Sequence, residues 1–140
     1  MNKILVVEDE ESITELLKFC LEAEGHLVVA TDKGRTALEW IKEVRVDLAI
    51  VDLGLPDING LEVCRAIKEN PRTRSIPIII LTGNTSNVAK IEGNLAGGAD
   101  LFLNKPISTD DLKKSVTMVL EKAKKKKLLL RNSLKTRLDN

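Results

Sequence analysis

The chain has 140 residues, 43% of them hydrophobic, and 22 basic against 21 acidic side chains give a net charge of +1, enough for one globular domain with a real core. It has no apolar run near the ~20 residues of a membrane span and no signal-peptide pattern at its start. One histidine (His26) and two cysteines (Cys20 and Cys64, both inside helical patterns) speak against a histidine-built catalytic or zinc centre and against a disulfide scaffold, so the cytoplasm is the expected location.

Taken in chain order, Ile4-Leu5-Val6-Val7 is a β-branched apolar run that stops at Glu8-Asp9. Ile13, Leu16, Leu17, Cys20 and Leu21 follow at the spacing of one helix face, and Gly25 supplies a C-terminal cap. Leu27-Val28-Val29-Ala30 reads as a short strand, and Ala37, Leu38 and Ile41 mark a second helix. Leu48-Ala49-Ile50-Val51 stops at Asp52 and runs into the loop Leu53-Gly54-Leu55-Pro56-Asp57-Ile58. Asn59-Gly60 opens a third helix, with Cys64 and Ile67 inward and an end near Asn70-Pro71. Ile78-Ile79-Ile80-Leu81 stops at Thr82, and Val88, Ile91 and Leu95 predict a fourth helix closed by Gly97-Gly98. The weaker run Leu101-Phe102-Leu103 precedes Asn104-Lys105-Pro106. Ser108, with Asp111 three residues on, predicts a capped start for the last helix. Its inner face is Leu112, Val116, Val119 and Ala123.

Strand and helix alternate five times with short connections. That pattern predicts an α/β domain with right-handed crossovers and helices on both faces of a parallel sheet. Apolar runs of four without alternation are what strands covered on both faces look like. The expected architecture is a doubly wound, flavodoxin-like sheet of five strands in the order 2-1-3-4-5, with five helices. Ligands in such sheets bind outside the carboxyl ends of the strands. Glu8, Asp9, Asp52, Thr82 and Lys105 should therefore meet at one edge.

Three carboxylates at close range raise at least one pKa unless a cation neutralises them, and Mg²⁺ is the natural candidate because it takes oxygen ligands and keeps waters. A carboxylate beside such an ion can attack phosphorus and form an acyl phosphate. Lys105 would supply positive charge to the transferring group, Thr82 a hydroxyl, and Gly83 an unobstructed backbone N–H. Each residue also has a plain structural explanation: Glu8 to Glu11 as an acidic first helical turn, Asp52 as a loop aspartate, Thr82 and Lys105 as solvated positions. Those explanations would all have to hold together at the same edge.

Four segments, Lys3-Ile4-Leu5-Val6-Val7-Glu8-Asp9-Glu10, Val51-Asp52-Leu53-Gly54-Leu55-Pro56-Asp57-Ile58-Asn59-Gly60, Leu81-Thr82-Gly83 and Gly98-Ala99-Asp100-Leu101-Phe102-Leu103-Asn104-Lys105-Pro106, resemble the receiver domain of two-component response regulators, chemotaxis regulators among them. The resemblance covers residues 2–122. It implies that Asp52 accepts a phosphoryl group from a sensor histidine kinase, a phosphotransfer protein or a small phosphodonor, and that the domain promotes its own phosphorylation and dephosphorylation as a signalling phosphoacceptor, not an enzyme. It further implies that Asp9, Asp52 and the Gly54 carbonyl ligate Mg²⁺ directly and Glu8 through a water. Lys105 would pair with the phosphoryl group ahead of a cis Pro106, while Thr82 and Phe102 would move together as a switch. Glu8 stands where many members have Asp, and Gly83 where Ala is usual; Gly54 and Asn84 occupy positions that tune phosphate lifetime in the family.

Among rivals, a haloacid-dehalogenase-type phosphohydrolase would want a second Asp two residues after the nucleophile, where this chain has Gly54. A flavin or nucleotide binder would not place Glu8-Asp9-Glu10-Glu11 where phosphates bind. A receiver that signals without phosphate would not need the set Asp9, Asp52, Thr82 and Lys105. No helix-turn-helix or other effector sequence follows residue 122, so the domain division is a receiver over 1–122 and a basic, leucine-containing helical tail or linker over 123–140. The chain is then either a stand-alone receiver or the first part of a longer regulator. Residues 1–120 hold 14 basic and 19 acidic side chains, whereas 121–140 hold 8 basic and 2 acidic. Leu130, Leu134 and Leu138 continue the last helix's inner face, with Leu128 and Leu129 beside it and no Pro or Gly from 107 to 140. This extended C-terminal helix is a candidate for homodimer formation.

Overall fold

The computed structural model describes residues 1–83 and 98–139. Five strands, β1 (Lys3–Val7), β2 (Leu27–Thr31), β3 (Leu48–Asp52), β4 (Ile78–Thr82) and β5 (Leu101–Asn104), form one parallel sheet in the order β2-β1-β3-β4-β5. Four helices lie among the described residues: α1 (Glu11–Ala23), α2 (Gly34–Glu43), α3 (Gly60–Glu69) and α4 (Thr109–Asp139). The fifth helix, expected around Val88, Ile91 and Leu95, falls outside the described residues, as does Asn84.

Two-residue periodicity within each strand divides the core into two layers. Ile4, Val6, Leu48, Ile50, Ile79 and Leu81 face α1 and α4, meeting Leu17, Cys20, Leu21, Leu112, Val116 and Val119. Leu5, Val7, Ala49, Val51, Ile78 and Ile80 face the opposite way, meeting Ala37 and Ile41 of α2 and Val63, Cys64 and Ile67 of α3. Every residue of β3 and β4 is buried, which is why their sequences show no alternation.

Local signals fix the ends of the helices. Gly25 adopts φ +89°, and the bonds Gly25 N–H to Glu22 O and His26 N–H to Leu21 O close α1 in a Schellman motif. Asn59 caps α3 by accepting the Leu61 N–H at 2.8 Å, and Ser108 Oγ accepts the Asp111 N–H at the start of α4. At the amino edge of the sheet, Asp47 accepts the Lys3 N–H and Asp100 the Ile78 N–H, each at 2.8 Å, so two strand-opening amides are satisfied by side chains.

The register pairs Val7 with Val51, Asp52 with Leu81, and Thr82 with Asn104. The carboxyl ends of β1, β3, β4 and β5 therefore come out side by side.

Candidate functional site

Asp52 is the last residue of β3 and Thr82 the last of β4, and both are buried. Glu8 follows β1 directly; its N–H donates to Thr31 O, which carries the β1–β2 pairing one residue past the strand. Glu8 is almost wholly buried while Asp9 beside it is exposed, because successive side chains leave an extended chain in opposite directions. One carboxylate oxygen from each of Glu8, Asp9 and Asp52 lies within 4.8 Å of the others.

Lys105 reaches this cluster from the end of β5. Its backbone N–H donates to Thr82 O at 2.8 Å, and the Lys105-Pro106 bond is cis. Its Nζ lies 2.6 Å from Glu8 Oε1, 3.3 Å from Asp52 Oδ1 and 3.2 Å from Glu10 Oε1. Phe102 is half-buried on β5, packed on the α2–α3 side of the sheet. Gly83 is exposed and Gly54 likewise, and a Cβ at either would meet nothing within 4 Å, so the backbone there is open to a ligand. The Gly54 N–H also points at Asp52 Oδ1, 3.4 Å away.

The loop after Asp52 turns back on itself. Gly60 N–H donates to Leu53 O at 3.0 Å, and a Cβ on Gly60 would sit 2.2 Å from the Asp52 carbonyl oxygen. Only glycine lets α3 begin this close to the strand end. Asp57, in the same loop, accepts the Gly34 and Arg35 N–H groups at 2.9 Å each and so caps α2 from 22 or 23 residues away. Those bonds, the one from Arg35 foremost, hold the Asp57 carboxyl below its usual range.

Crowding shows in the proton affinities. Burial, reinforced by Asp52, pushes the Glu8 carboxyl up to about 8. Burial and Asp52 also raise Asp9. Burial alone would lower Lys105, but its bond to Glu8 and the charges of Asp52 and Glu8 outweigh it and hold the ammonium above its ordinary value. One lysine thus offsets only part of three negative groups. Among the described residues Glu8 Oε2 is buried without a hydrogen-bond partner. An orphaned carboxylate oxygen beside two further carboxylates is a donor set that a hard, oxygen-seeking cation satisfies.

The expected set Glu8, Asp9, Asp52, Thr82, Gly83 and Lys105 is gathered at one sheet edge, with Gly54 beside it, whereas Phe102 lies further back on β5, opposite Ile80. Sequence reasoning missed two participants. In the sequence Glu10 stands in an acidic turn and Asp57 in a loop, with nothing that assigns either a partner; a tertiary hydrogen bond leaves no periodic trace, and the one available sign is an acidic Glu10 at a helix N-cap position that Asn, Ser or Thr usually fills.

Residues 4–117 match the family model for the response regulator receiver domain. The phosphate regulon transcriptional regulatory protein PhoB of Rhizobium meliloti is 41% identical over 124 residues, 89% of this chain and 54% of the relative. The response regulator ArlR of Staphylococcus saprophyticus is 37% identical over 129 residues, 92% of this chain and 57% of the relative. Among solved structures, the chemotaxis response regulator CheY4 of Vibrio cholerae superposes with a TM-score of 0.78 at 33% identity, covering 85% of this chain and 98% of that one. The chain spans little more than half the length of these two curated relatives.

Proposed function

This chain belongs to the response regulator receiver domain family of two-component signalling, and from that premise we propose that Asp52 is its phosphoacceptor and that Mg²⁺ is its metal. The observation that carries the reading is the Lys105 ammonium 3.3 Å from Asp52 Oδ1, inside a cluster of three carboxylates. An Asp52 oxygen attacks the phosphorus of a histidine kinase's or phosphotransfer protein's phosphohistidine; the new O–P bond forms as the P–N bond breaks, and the departing imidazole nitrogen takes up a proton. With acetyl phosphate the leaving group is acetate.

Asp9, Asp52 and the Gly54 carbonyl would hold Mg²⁺, with Glu8 held to it through a water. When bound, the ion neutralises the carboxylates and the charge on the transferring oxygens. Lys105 and the Gly83 N–H receive the phosphoryl oxygens, and the Thr82 hydroxyl turns toward them. Movement of Thr82 would free Phe102 to repack, changing the surface offered to partners. The same residues would promote loss of the phosphoryl group to water, giving the signal a finite lifetime.

The division into a receiver at 1–122 and a tail at 123–140 belongs to the same proposal. Leu130, Leu134 and Leu138 stand exposed on the outer part of α4, which supports pairing with a second copy or attachment to an output segment of a longer regulator.

The direct test is incubation with Mg²⁺ and acetyl phosphate followed by intact-mass spectrometry. Wild type should gain one phosphoryl group and Asp52→Ala none. Phosphate on the alanine variant would place the acceptor elsewhere.

A further inference from the structure

Given Asp52 as phosphoacceptor, on which this rests, the geometry points to Glu10 as a positioning residue: its carboxylate holds the Lys105 ammonium before phosphorylation and releases it when a phosphoryl group arrives. An ammonium has three N–H donors. Lys105 faces three carboxylates, Glu8, Glu10 and Asp52, at 2.6, 3.2 and 3.3 Å. A phosphoryl group brings further acceptor oxygens, so one of these partners has to give way.

The three are not equally free to leave. The Glu8 side chain is fully buried and belongs to the carboxylate cluster. Asp52 becomes the acyl phosphate and stays in place. The Glu10 side chain is 58% exposed and can exchange Lys105 for water at small cost.

Glu10 also gives up a local role to make this contact. It is the N-cap of α1 (φ −85°, ψ 112°), where a side chain normally accepts an N–H from the first turn, yet its carboxylate makes no capping bond. It reaches instead to a lysine 95 residues away. A phosphoryl group on Asp52 would repel Glu10 while attracting Lys105, so one event breaks the pair from both sides. Glu10 thus opposes phosphoryl binding twice, by occupying Lys105 and by placing negative charge where an anionic donor must enter.

The test uses the 140-residue chain with Mg²⁺ and beryllofluoride, a phosphoryl mimic that binds an aspartate reversibly, titrated by NMR. Glu10→Gln should bind the mimic roughly two- to fivefold tighter than wild type, the range of an exposed ion pair, and added salt should shrink that gain. Glu10→Asp keeps the charge but shortens the arm by one methylene, so it should also bind tighter; if charge alone mattered it would match wild type. In the metal-free protein the Lys105 ammonium resonance should shift in both variants. Glu10→Gln at wild-type affinity, Glu10→Asp indistinguishable from wild type, or an unmoved Lys105 resonance would each overturn the proposal. Failure of wild type to take phosphate from acetyl phosphate would remove the phosphoacceptor reading and this proposal together, whereas phosphorylation of wild type with unchanged variants removes this proposal alone.

Discussion

Asp52 stands where two opposing contributions meet: it attracts Lys105 at 3.3 Å and raises the proton affinity of both Glu8 and Asp9. In the absence of metal the repulsion is shared among three carboxylates, and Asp52→Asn removes one of them while leaving Lys105 its contacts with Glu8 and Glu10. The variant should therefore melt higher than wild type without Mg²⁺. Wild type should gain about 1.4 kcal/mol at Mg²⁺ tenfold over Kd, and the variant much less; thermal melts with and without the ion check both. His26 adds a separate pH dependence. His26 lies far from this cluster, at the other end of the sheet, and its Nδ1 is buried without a hydrogen-bond partner among the described residues. Burial first, and the N-terminal ammonium second, hold its pKa below 6.5. The unfolded chain then binds the proton more readily, so His26 contributes stability above pH 6.5 that is lost as pH falls through its folded value. Denaturant melts of wild type and His26→Gln should diverge in wild type's favour as pH rises from about 5 to 7. A gap independent of pH would mean that His26 titrates as it does in the unfolded chain.

At the scale of elements, Asp57 couples the loop after Asp52 to the start of α2. Asp57→Ala leaves the Gly34 and Arg35 amides without their acceptor, and both should exchange with solvent faster while the α1 amides stay unchanged. Since the folded pKa of Asp57 is lowered, its contribution is present above about pH 3.8 and lost as pH falls through the folded value. The difference between wild type and variant should therefore fade in acid. Contacts of this kind mark where the sequence stops being readable. β3 and β4 were legible because burial on both faces demands unbroken apolar runs, and α1 because Leu17, Cys20 and Leu21 repeat at helical spacing ahead of Gly25. The sheet order followed from alternation and handedness, and with it the meeting of Glu8, Asp52, Thr82 and Lys105. The hydrogen bonds that Asp57 accepts from α2, Asp47 from the Lys3 N–H and Asp100 from the Ile78 N–H were not legible, since a lone carboxylate in a loop looks the same whether it meets water or a distant amide. The burial of Glu8 was hidden too: four acidic residues in a row suggest a solvated turn, and only the pairing of β1 with β2 and β3 sends Glu8 inward.

For the whole molecule, the distribution of charge decides how the tail behaves. α4 spans 31 residues, and its face packed on the sheet, Leu112, Val116 and Val119, continues into Leu130, Leu134 and Leu138, which are half or more exposed. Eight basic residues accompany those leucines after residue 120. If two tails pair, apolar contact is opposed by like charge, so self-association should strengthen with added salt. Light scattering across ionic strengths should show that rise in the 140-residue chain and not in a version ending at Lys122. Circular dichroism should show helix lost on truncation, while the melting of the remaining domain stays close to wild type because the removed leucines cover no core. A tail that contributes no helical signal would contradict the continuous α4. No Pro or Gly interrupts that helix, so it has no internal hinge at which to absorb a tilt. The roughly 16 residues beyond Ala123 extend about 24 Å at 1.5 Å per residue. A rotation of about 5° where α4 rests on the sheet would carry its tip sideways by about 2 Å, a displacement comparable to the shifts by which packed helices switch between arrangements. The tail would then be a lever arm, delivering to anything docked at its far end a larger displacement than the one made at the sheet.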